Sequence, residues 1–261
     1  MRILVTNDDG VDAPGIRALA AALVADGHDV VVVAPTTDRS GSGAAIGKLF
    51  DTEPPEIVHH VWPDLPGVEV HALDAPPATA VLAAKLGAFG DPPDLVASGV
   101  NPGANTGHLV LHSGTVGAAL TAAGLDIPAL AVSLPWSTEH VYHWATAAAF
   151  AAAAVEWVAK PEGGTPRVLN LNVPNVPLHE VNGVREAELA PHGEVWIASA
   201  DTSAGDLKLE FKGRADAAPG TDVAVVGEGY VAVTPLMSVV RAPHLGAAEA
   251  VSAALLDRRS G

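Results

Sequence analysis

Two adjacent aspartates follow a short apolar run near the start of the chain. Residues 3–5 have the length and residue types of a buried strand, and Asn7, Asp8, Asp9 and Gly10 come directly after it. Neighbouring carboxylates repel one another, and a cation between them relieves that repulsion. In open α/β sheets, ligands bind at the carboxyl ends of the strands. These residues therefore indicate a site for a hard metal ion, and a solvated Asp pair in a polar turn is the equally open alternative.

Three further loops rich in polar and small residues follow later predicted strands, at residues 38–43, 98–107 and 112–117. Together with the aspartates they supply carboxylate, hydroxyl and amide oxygens, which Mg²⁺, Mn²⁺ and Ca²⁺ prefer as ligands. Residues 113–115 open a predicted helix, where free N–H groups and the positive end of the helix dipole favour a phosphate. An ordinary Ser N-cap explains the same residues. A metal site beside an anion site indicates phosphoryl chemistry.

Strand and helix patterns alternate through the first two thirds of the chain and would bring these loops to one edge of a sheet. The predicted strands span residues 3–6, 29–34, 57–62, 68–73, 95–98, 129–134 and 167–172. The predicted helices span residues 14–25, 78–87, 114–124 and 140–158. This alternation predicts an α/β fold with a doubly wound, mostly parallel sheet over residues 1–175.

The pattern changes after residue 174. Short β-like runs appear at residues 195–198, 207–211, 223–226 and 230–234, and a helix pattern follows at residues 247–258. These runs predict that residues 176–261 form an extension made of an antiparallel β-hairpin and a helix.

The composition excludes several classes of function. The formal net charge is −16, which opposes binding to nucleic acid polymers and to anionic membranes. An anionic substrate must therefore be held by local features such as a metal ion or backbone amides. The chain has no cysteine, so thiolate chemistry is excluded. Because we find neither a signal-peptide pattern nor an apolar stretch of membrane-spanning length, we expect a cytoplasmic protein.

The combination of these motifs resembles the SurE family of survival-protein phosphatases, which are metal-dependent 5′/3′-nucleotidases. The motifs that carry the resemblance are residues 1–15, 33–35 with 38–41, 98–107, 113–118, 169–174 and 229–236. The resemblance implies a Rossmann-like core whose C-terminal hairpin and helix are exchanged between subunits of a homodimer or homotetramer. It also implies hydrolysis of nucleoside 5′- and 3′-monophosphates with one divalent metal ion per subunit, Mg²⁺ or Mn²⁺, with Ca²⁺ as a further candidate.

The resemblance also assigns roles to residues of this chain. The implied metal ligands are Asp8, Asp9, Ser40 and Asn101. The implied phosphate-binding residues are Asn105, Ser113, Gly114 and Thr115. One of the two aspartates would act as base or nucleophile, and the sequence does not separate these roles. His108 and His112 flank the phosphate-binding residues and are candidate proton donors. Arg39 is a candidate partner of the anion, with a structural ion pair as the alternative.

Four positions depart from the family pattern. Ala44 and Ala45 stand where the family has an Asn-Ser pair, Thr79 replaces an acidic residue, and His112 replaces a tyrosine. These replacements bear on the substrate more than on the type of reaction. They leave open a nucleotide- or phosphate-binding homologue with weak or altered phosphatase activity. A nucleotide-sugar transferase on a similar fold would need a second substrate domain, which the C-terminal pattern does not resemble.

Overall fold

The structure is a computed structural model that describes residues 1–47, 54–160, 168–202, 208–213 and 217–239. Its strands are β1 Arg2–Thr6, β2 Asp29–Pro35, β3 Ile57–His60, β4 Glu69–Leu73, β5 Leu95–Pro102, β6 Ala129–Leu134, β7 Val168–Asn172, β8 Val184–Glu186, β9 Val195–Asp201, β10 Lys208–Gly213 and β11 Val231–Leu236. Its α-helices are α1 Pro14–Ala25, α2 Pro77–Lys85, α3 Gly114–Gly124, α4 Trp144–Ala159 and α5 Asp222–Gly227.

The main sheet has the strand order β3-β4-β2-β1-β5-β6-β7-β11-β8 within the described residues. The six strands from β4 to β7 in this order are mutually parallel, whereas β3 and β11 pair antiparallel with their neighbours β4 and β7. The chain builds outward from β1 to β4 and then returns to place β5 on the other side of β1. The switch point between β1 and β5 is where open α/β sheets bind ligands. The predicted α/β fold with a mostly parallel sheet is confirmed.

Helices cover both faces of the sheet. Helices α1 and α4 pack on one face, and α2 and α3 pack on the other. Ile16, Leu19 and Leu23 form the buried stripe of α1, and every residue of β2 after Asp29 is buried. Burying each such large apolar side chain contributes roughly 1.5–3 kcal/mol. Much of the packed surface of α3 and α4 is alanine, which lets these helices approach the sheet closely.

Two glycines allow close contacts that bring the site loops together. A Cβ atom on Gly15 would lie 2.0 Å from the carbonyl oxygen of Val100, so the first turn of α1 lies directly on β5. A Cβ atom on Gly117 would lie 2.1 Å from the carbonyl oxygen of Gly43, so the loop after β2 lies directly on α3. Any larger residue at either position would push these segments apart.

The structure corrects two predicted boundaries and one predicted element type. Strand β5 continues to Pro102, with a register shift between Ser98 and Asn101, so the predicted loop at residues 99–107 is partly strand. Helix α4 begins at Trp144 instead of residue 140, because His140 adopts a positive φ of 56° that interrupts a helix. The predicted strand at residues 223–226 is wrong, since these residues lie in α5. Valine runs without alternation do not separate helix from strand.

The part of the chain after residue 175 contributes to both sheets. Strands β8 and β11 extend the main sheet, whereas β9 and β10 form a separate antiparallel pair. The antiparallel hairpin of the predicted extension is therefore present. The predicted helix at residues 247–258 lies outside the described residues. Division of the chain at residue 175 and exchange of the extension between subunits stay predictions.

Within the described ranges, we find no helix that combines the length and the apolar character needed to cross a bilayer.

Candidate functional site

Asp8 lies at the carboxyl end of β1 and faces the first turn of α3. The backbone N–H of Gly114 donates a hydrogen bond of 3.1 Å to Asp8 Oδ2, and the Thr115 hydroxyl donates to Asp8 Oδ1. Burial raises the pKa of Asp8 above its ordinary value, and these hydrogen bonds partly offset that effect. The positive end of the α3 dipole further favours the charged carboxylate. Asp8 is thus held at the N-terminus of a helix.

Asp9 has a less complete set of partners. Its Oδ2 is buried and has no hydrogen-bond partner among the described residues. Burial, followed by the charges of Asp8 and Asp38, raises the pKa of Asp9 to about 8. A buried carboxylate oxygen without a donor is costly, because the water that it loses is not replaced. A positively charged partner at Oδ2 would therefore stabilise the ionised form of Asp9.

The loop after β2 brings Ser40 to the aspartates. The backbone N–H of Arg39 donates to the carbonyl oxygen of Asp8 at 2.7 Å. Asp38 Oδ1 accepts from the Ser40 N–H at 2.7 Å and from the Ser40 hydroxyl at 2.6 Å. The Arg39 guanidinium pairs with Asp74, so the structural ion pair considered for Arg39 is formed. Ser40 is therefore held by Asp38, and it directly follows Arg39, whose backbone N–H bonds to Asp8.

Gly114 is the point at which three loops meet. A Cβ atom at this position would lie 2.6 Å from Ser42 Oγ and 2.7 Å from Asp8 Oδ2. Only glycine leaves room for the Asp8 carboxylate to reach the N-terminus of α3. Ser42 Oγ, like Asp9 Oδ2, is buried without a hydrogen-bond partner among the described residues, so a second unpaired polar atom lies beside Gly114.

Asn101 lies near the end of β5, the strand beside β1. Its Nδ2 donates to the carbonyl oxygen of Gly103 at 2.6 Å, a bond that does not use the amide oxygen. Because β1 and β5 are parallel neighbours with Thr6 opposite Ser98, Asn101 and Asp9 follow this pair at the same edge of the sheet. The topology thus brings an amide oxygen to the edge that carries the two aspartates.

Asn105 is anchored to β6 and β7, the two strands beyond β5 in the sheet. Its Nδ2 donates to Ser133 Oγ at 2.9 Å, and its carbonyl oxygen accepts from Asn170 and Asn172 at 2.8 and 2.9 Å. These bonds tie the loop after β5 to β6 and β7. Of the other predicted residues, Ser113 caps α3, with its hydroxyl oxygen accepting from the Val116 N–H at 3.1 Å.

The two candidate proton donors, His108 and His112, have exposed side chains. The carbonyl oxygen of His112 accepts from the Gly43 N–H at 3.1 Å, which places this residue against the loop that carries Ser40. His108 lies in the short 3₁₀ helix at Gly107–Leu111. His112 is therefore the better placed of the two.

Two residues of the predicted site loops, Asn7 and Asp38, shape the site although the sequence assigned them no role. Asn7 is fully buried and exchanges hydrogen bonds with Gly10, whose φ of +108° requires glycine, so it closes the turn that presents Asp8 and Asp9. Asp38 holds Ser40 and adds negative charge near Asp8 and Asp9. An Asn followed by a Gly three residues later signals such a turn, and the loop at residues 38–43 placed Asp38 near the site without indicating its bond to Ser40.

The donor set fits a hard divalent cation. Two carboxylates with raised pKa values lie side by side, and one of their oxygens has no donor among the described residues. No three His, Cys, Asp or Glu side chains in the described part of the chain converge as a metal cluster on their own. A cation at this point would therefore also depend on neutral oxygens such as those of Ser40 and Asn101, which Mg²⁺ and Mn²⁺ accept as ligands.

Fold and site together define an α/β protein with an oxygen-rich, negatively charged site at the switch point of its sheet. The chain belongs to the SurE family: the family model described as survival protein SurE matches residues 3–194. It is 39% identical over 240 residues to the 5′-nucleotidase SurE of Aeromonas hydrophila, covering 90% of this chain and 92% of that protein. It is also 39% identical over 248 residues to the 5′/3′-nucleotidase SurE of Escherichia coli O1:K1, covering 90% of each.

A solved structure agrees with this assignment. The crystal structure of the SurE protein from Aquifex aeolicus superimposes with a TM-score of 0.73 at 31% sequence identity, covering 92% of this chain and 95% of that one. The resemblance stated from the motifs is confirmed.

Proposed function

We propose that this protein is a metal-dependent phosphomonoesterase that hydrolyses nucleoside 5′-monophosphates, and also 3′-monophosphates, to nucleoside and phosphate. The observation that carries the proposal is the pair Asp8–Asp9 at the switch point. Asp8 is bound to the N-terminus of α3, and Asp9 Oδ2 has no partner among the described residues. The names of the relatives, 5′-nucleotidase and 5′/3′-nucleotidase, support the substrate class.

The proposed metal ligands are Asp8, Asp9, Ser40 and Asn101 for one Mg²⁺ or Mn²⁺ per subunit. When bound, a divalent cation supplies positive charge that offsets the carboxylates and stabilises negative charge on the phosphoryl oxygens in the transition state. The proposed phosphate-binding groups are the N-terminal residues of α3, Ser113, Gly114 and Thr115, with Asn105 in the adjoining loop.

Asp8 and Asp9 have different roles in the proposed reaction. Asp8 is the fixed member of the pair, because both of its oxygens accept hydrogen bonds. Asp9 is the member that we assign as base, because its Oδ2 accepts no bond from the described residues and can take a proton from water. The water oxygen forms the new bond to phosphorus, the ester P–O bond breaks, and the leaving nucleoside oxygen takes a proton from solvent or from His112.

Three of the departures from the family pattern, Ala44, Ala45 and Thr79, lie in the loop after β2 and in α2. Ala44 and Ala45 are exposed in the loop after β2. Thr79 donates a hydrogen bond of 3.0 Å to the carbonyl oxygen of Ile46 and so ties this loop to α2. Because this hydrogen bond does not involve Asp8 or Asp9, we propose that the departures change the choice of ester and leave the reaction unchanged. The alternative is a nucleotide- or phosphate-binding homologue with weak or altered-substrate activity.

The test is a metal-supplemented screen of 5′- and 3′-nucleotides, sugar phosphates and short polyphosphate. We expect nucleoside monophosphates to be hydrolysed fastest, excess EDTA to stop turnover, and Mg²⁺ or Mn²⁺ to restore it. Unchanged turnover in excess EDTA would contradict the metal-dependent mechanism. Nucleotide binding without release of phosphate under any metal would favour the binding homologue.

We further propose that the protein assembles as a homodimer or homotetramer through its C-terminal extension, as the family resemblance implies. The hairpin of β9 and β10 lies outside the main sheet, which is consistent with such an arm. Light scattering measures the mass directly: a 26.4 kDa species would refute the assembly, and a multiple of that mass would support it.

A further inference from the structure

A cavity lined by aromatic side chains lies on the α1 side of the site. It encloses about 290 Å³ between the first turn of α1, the end of β5 and the loop after β6. Its aromatic lining is formed by Trp136, His140, Tyr142 and Trp144. A volume of this size is at the lower end of the range for small-molecule sites.

The cavity adjoins the predicted metal ligands along the chain. Val100 and Pro102, which line it, are the two neighbours of Asn101. Ala13 and Pro14, which also line it, follow the turn that presents Asp8 and Asp9. The cavity therefore lies at the same carboxyl edge of the sheet as the two aspartates, on the face that α1 covers.

The aromatic wall is held in a defined conformation. Tyr142 and Trp144 lie with ring centroids 4.7 Å apart and pack against the main core. Asn175 Oδ1 accepts from the His143 N–H at 2.8 Å, and Asn175 Nδ2 donates to the Val141 carbonyl at 2.7 Å. These bonds fix the loop before α4, so the wall is organised before any ligand arrives, which lowers the entropy cost of binding.

The outer part of the wall is open to solvent. Trp136 is 55% exposed, and its ring meets that of His140 edge to face with centroids 5.6 Å apart. Among the described residues, the lining contains no Lys, Arg, Asp or Glu side chain. An exposed tryptophan beside a cavity without Lys or Arg side chains in its described lining suits a flat aromatic ring, which can stack on it.

We propose that this cavity binds the nucleobase of the substrate, with the base stacked on Trp136. The inference rests on the proposed nucleotidase function, since it assigns the non-phosphate end of that substrate. Every base presents a π-face, so stacking holds purines and pyrimidines alike. The site thus separates the binding of the base from the binding of the phosphate.

The kinetic test compares two esters that share a ribose 5-phosphate group. We expect Trp136→Ala to raise KM for adenosine 5′-monophosphate by about 10-fold, as loss of one stacking contact does elsewhere, and to leave kcat nearly unchanged. Ribose 5-phosphate has no base, so its kcat/KM should change by less than about twofold. Trp136→Phe keeps a ring and should recover most of the loss. Trp157→Ala, an exposed tryptophan on α4 outside the cavity, is the matched control.

A binding measurement separates this inference from the proposed function. Equilibrium dialysis with adenosine needs no turnover, and we expect about 10-fold weaker binding to Trp136→Ala than to the wild-type protein or Trp157→Ala. If no ester is hydrolysed but this loss is seen, the nucleotidase function fails and the base site stands. Equal adenosine affinity in the wild-type protein and Trp136→Ala, including no binding to either, overturns the base site. Equal loss of kcat/KM for both esters also overturns it.

Discussion

Asp9 and Asp222 are both aspartates whose pKa burial raises, yet their surroundings differ. Asp222 is fully buried at the start of α5 and accepts three backbone N–H bonds, from Gly107 at 2.7 Å, Ala190 at 3.0 Å and Val223 at 2.9 Å. Asp9 Oδ2 accepts none from the described residues, and Asp8 and Asp38 add negative charge.

The difference separates a carboxylate that stabilises the fold from one that is kept available. Asp222 replaces its lost water with protein donors and joins the loop after β5 to the segment before β9. Asp9 remains short of partners, which is unfavourable for the folded protein alone and favourable for binding a cation. Opposite responses to mutation should follow at the two positions.

The largest effect is expected on activity. Asp9→Asn removes a charged ligand and the assigned base, so phosphomonoesterase activity should fall on the order of 10³-fold or more. The same change removes charge repulsion, so the metal-free protein should unfold at an equal or higher urea concentration. Steady-state assays and urea titrations in EDTA measure both quantities.

The matched control for this change is Asp64→Asn, which alters an exposed carboxylate paired with Arg17. It should leave activity near that of the wild-type protein. Activity of Asp9→Asn within about tenfold of the wild type would remove Asp9 from the catalytic machinery.

The second effect is on stability. Asp222→Ala leaves three backbone N–H groups without their acceptor, so the free energy of unfolding should fall by about 3 kcal/mol. Urea unfolding with a constant m-value measures this loss. Protein that remains folded should keep its metal dependence. A loss below about 0.5 kcal/mol, as expected for a surface change, would refute the structural role of Asp222.

The third effect is the pH dependence of stability without metal. The pKa of Asp9 is about 8 in the folded protein and 3.8 for an unperturbed aspartate, so the folded state binds the extra proton between these values. Stability should therefore fall as pH rises from about 4 to 8, by an amount on the order of a few kcal/mol. Thermal unfolding in EDTA should show a smaller fall for Asp9→Asn than for the wild type. Equal slopes would show that the pKa of Asp9 is not raised.

The smallest effect is expected at Ser113. Its hydroxyl oxygen caps α3, so Ser113→Ala should cost about 1 kcal/mol of stability. The N-terminal N–H groups of α3 remain, so KM for a nucleotide should rise by less than about tenfold. Ser113→Thr retains an acceptor and should recover most of the stability. A much larger rise in KM would show that the hydroxyl itself holds the phosphate.

Comparison of sequence and structure shows which features local patterns determine. The bounds of α1, α3 and β6 agree with their predictions, because each is an apolar segment that ends at a Gly or just before a Gly or Pro. Residues 223–226 form part of helix α5, although their apolar run predicts a strand. Asp222, the first residue of α5, accepts hydrogen bonds from Gly107 and Ala190, which are remote in sequence. Tertiary contacts decide such short runs.

The site shows the same division. The aspartates and the N-terminus of α3 could be brought to one sheet edge by counting strand ends, and the bonds of Asp8 to Gly114 and Thr115 agree with that reasoning. The sequence could not predict that Asp8 accepts from these particular donors, nor that Asn105 bonds to Ser133. Both bonds depend on where side chains of different strands point in the folded sheet. The ligand roles of the predicted site residues remain proposals.

The central claim is that Asp8 and Asp9 share a divalent cation, and direct titration of Mn²⁺ followed by electron paramagnetic resonance tests it without any substrate. We expect one tightly bound ion per subunit in the wild-type protein and in Asp64→Asn, and none in Asp9→Asn at the same concentration. Equal Mn²⁺ binding by the wild-type protein and Asp9→Asn would contradict it.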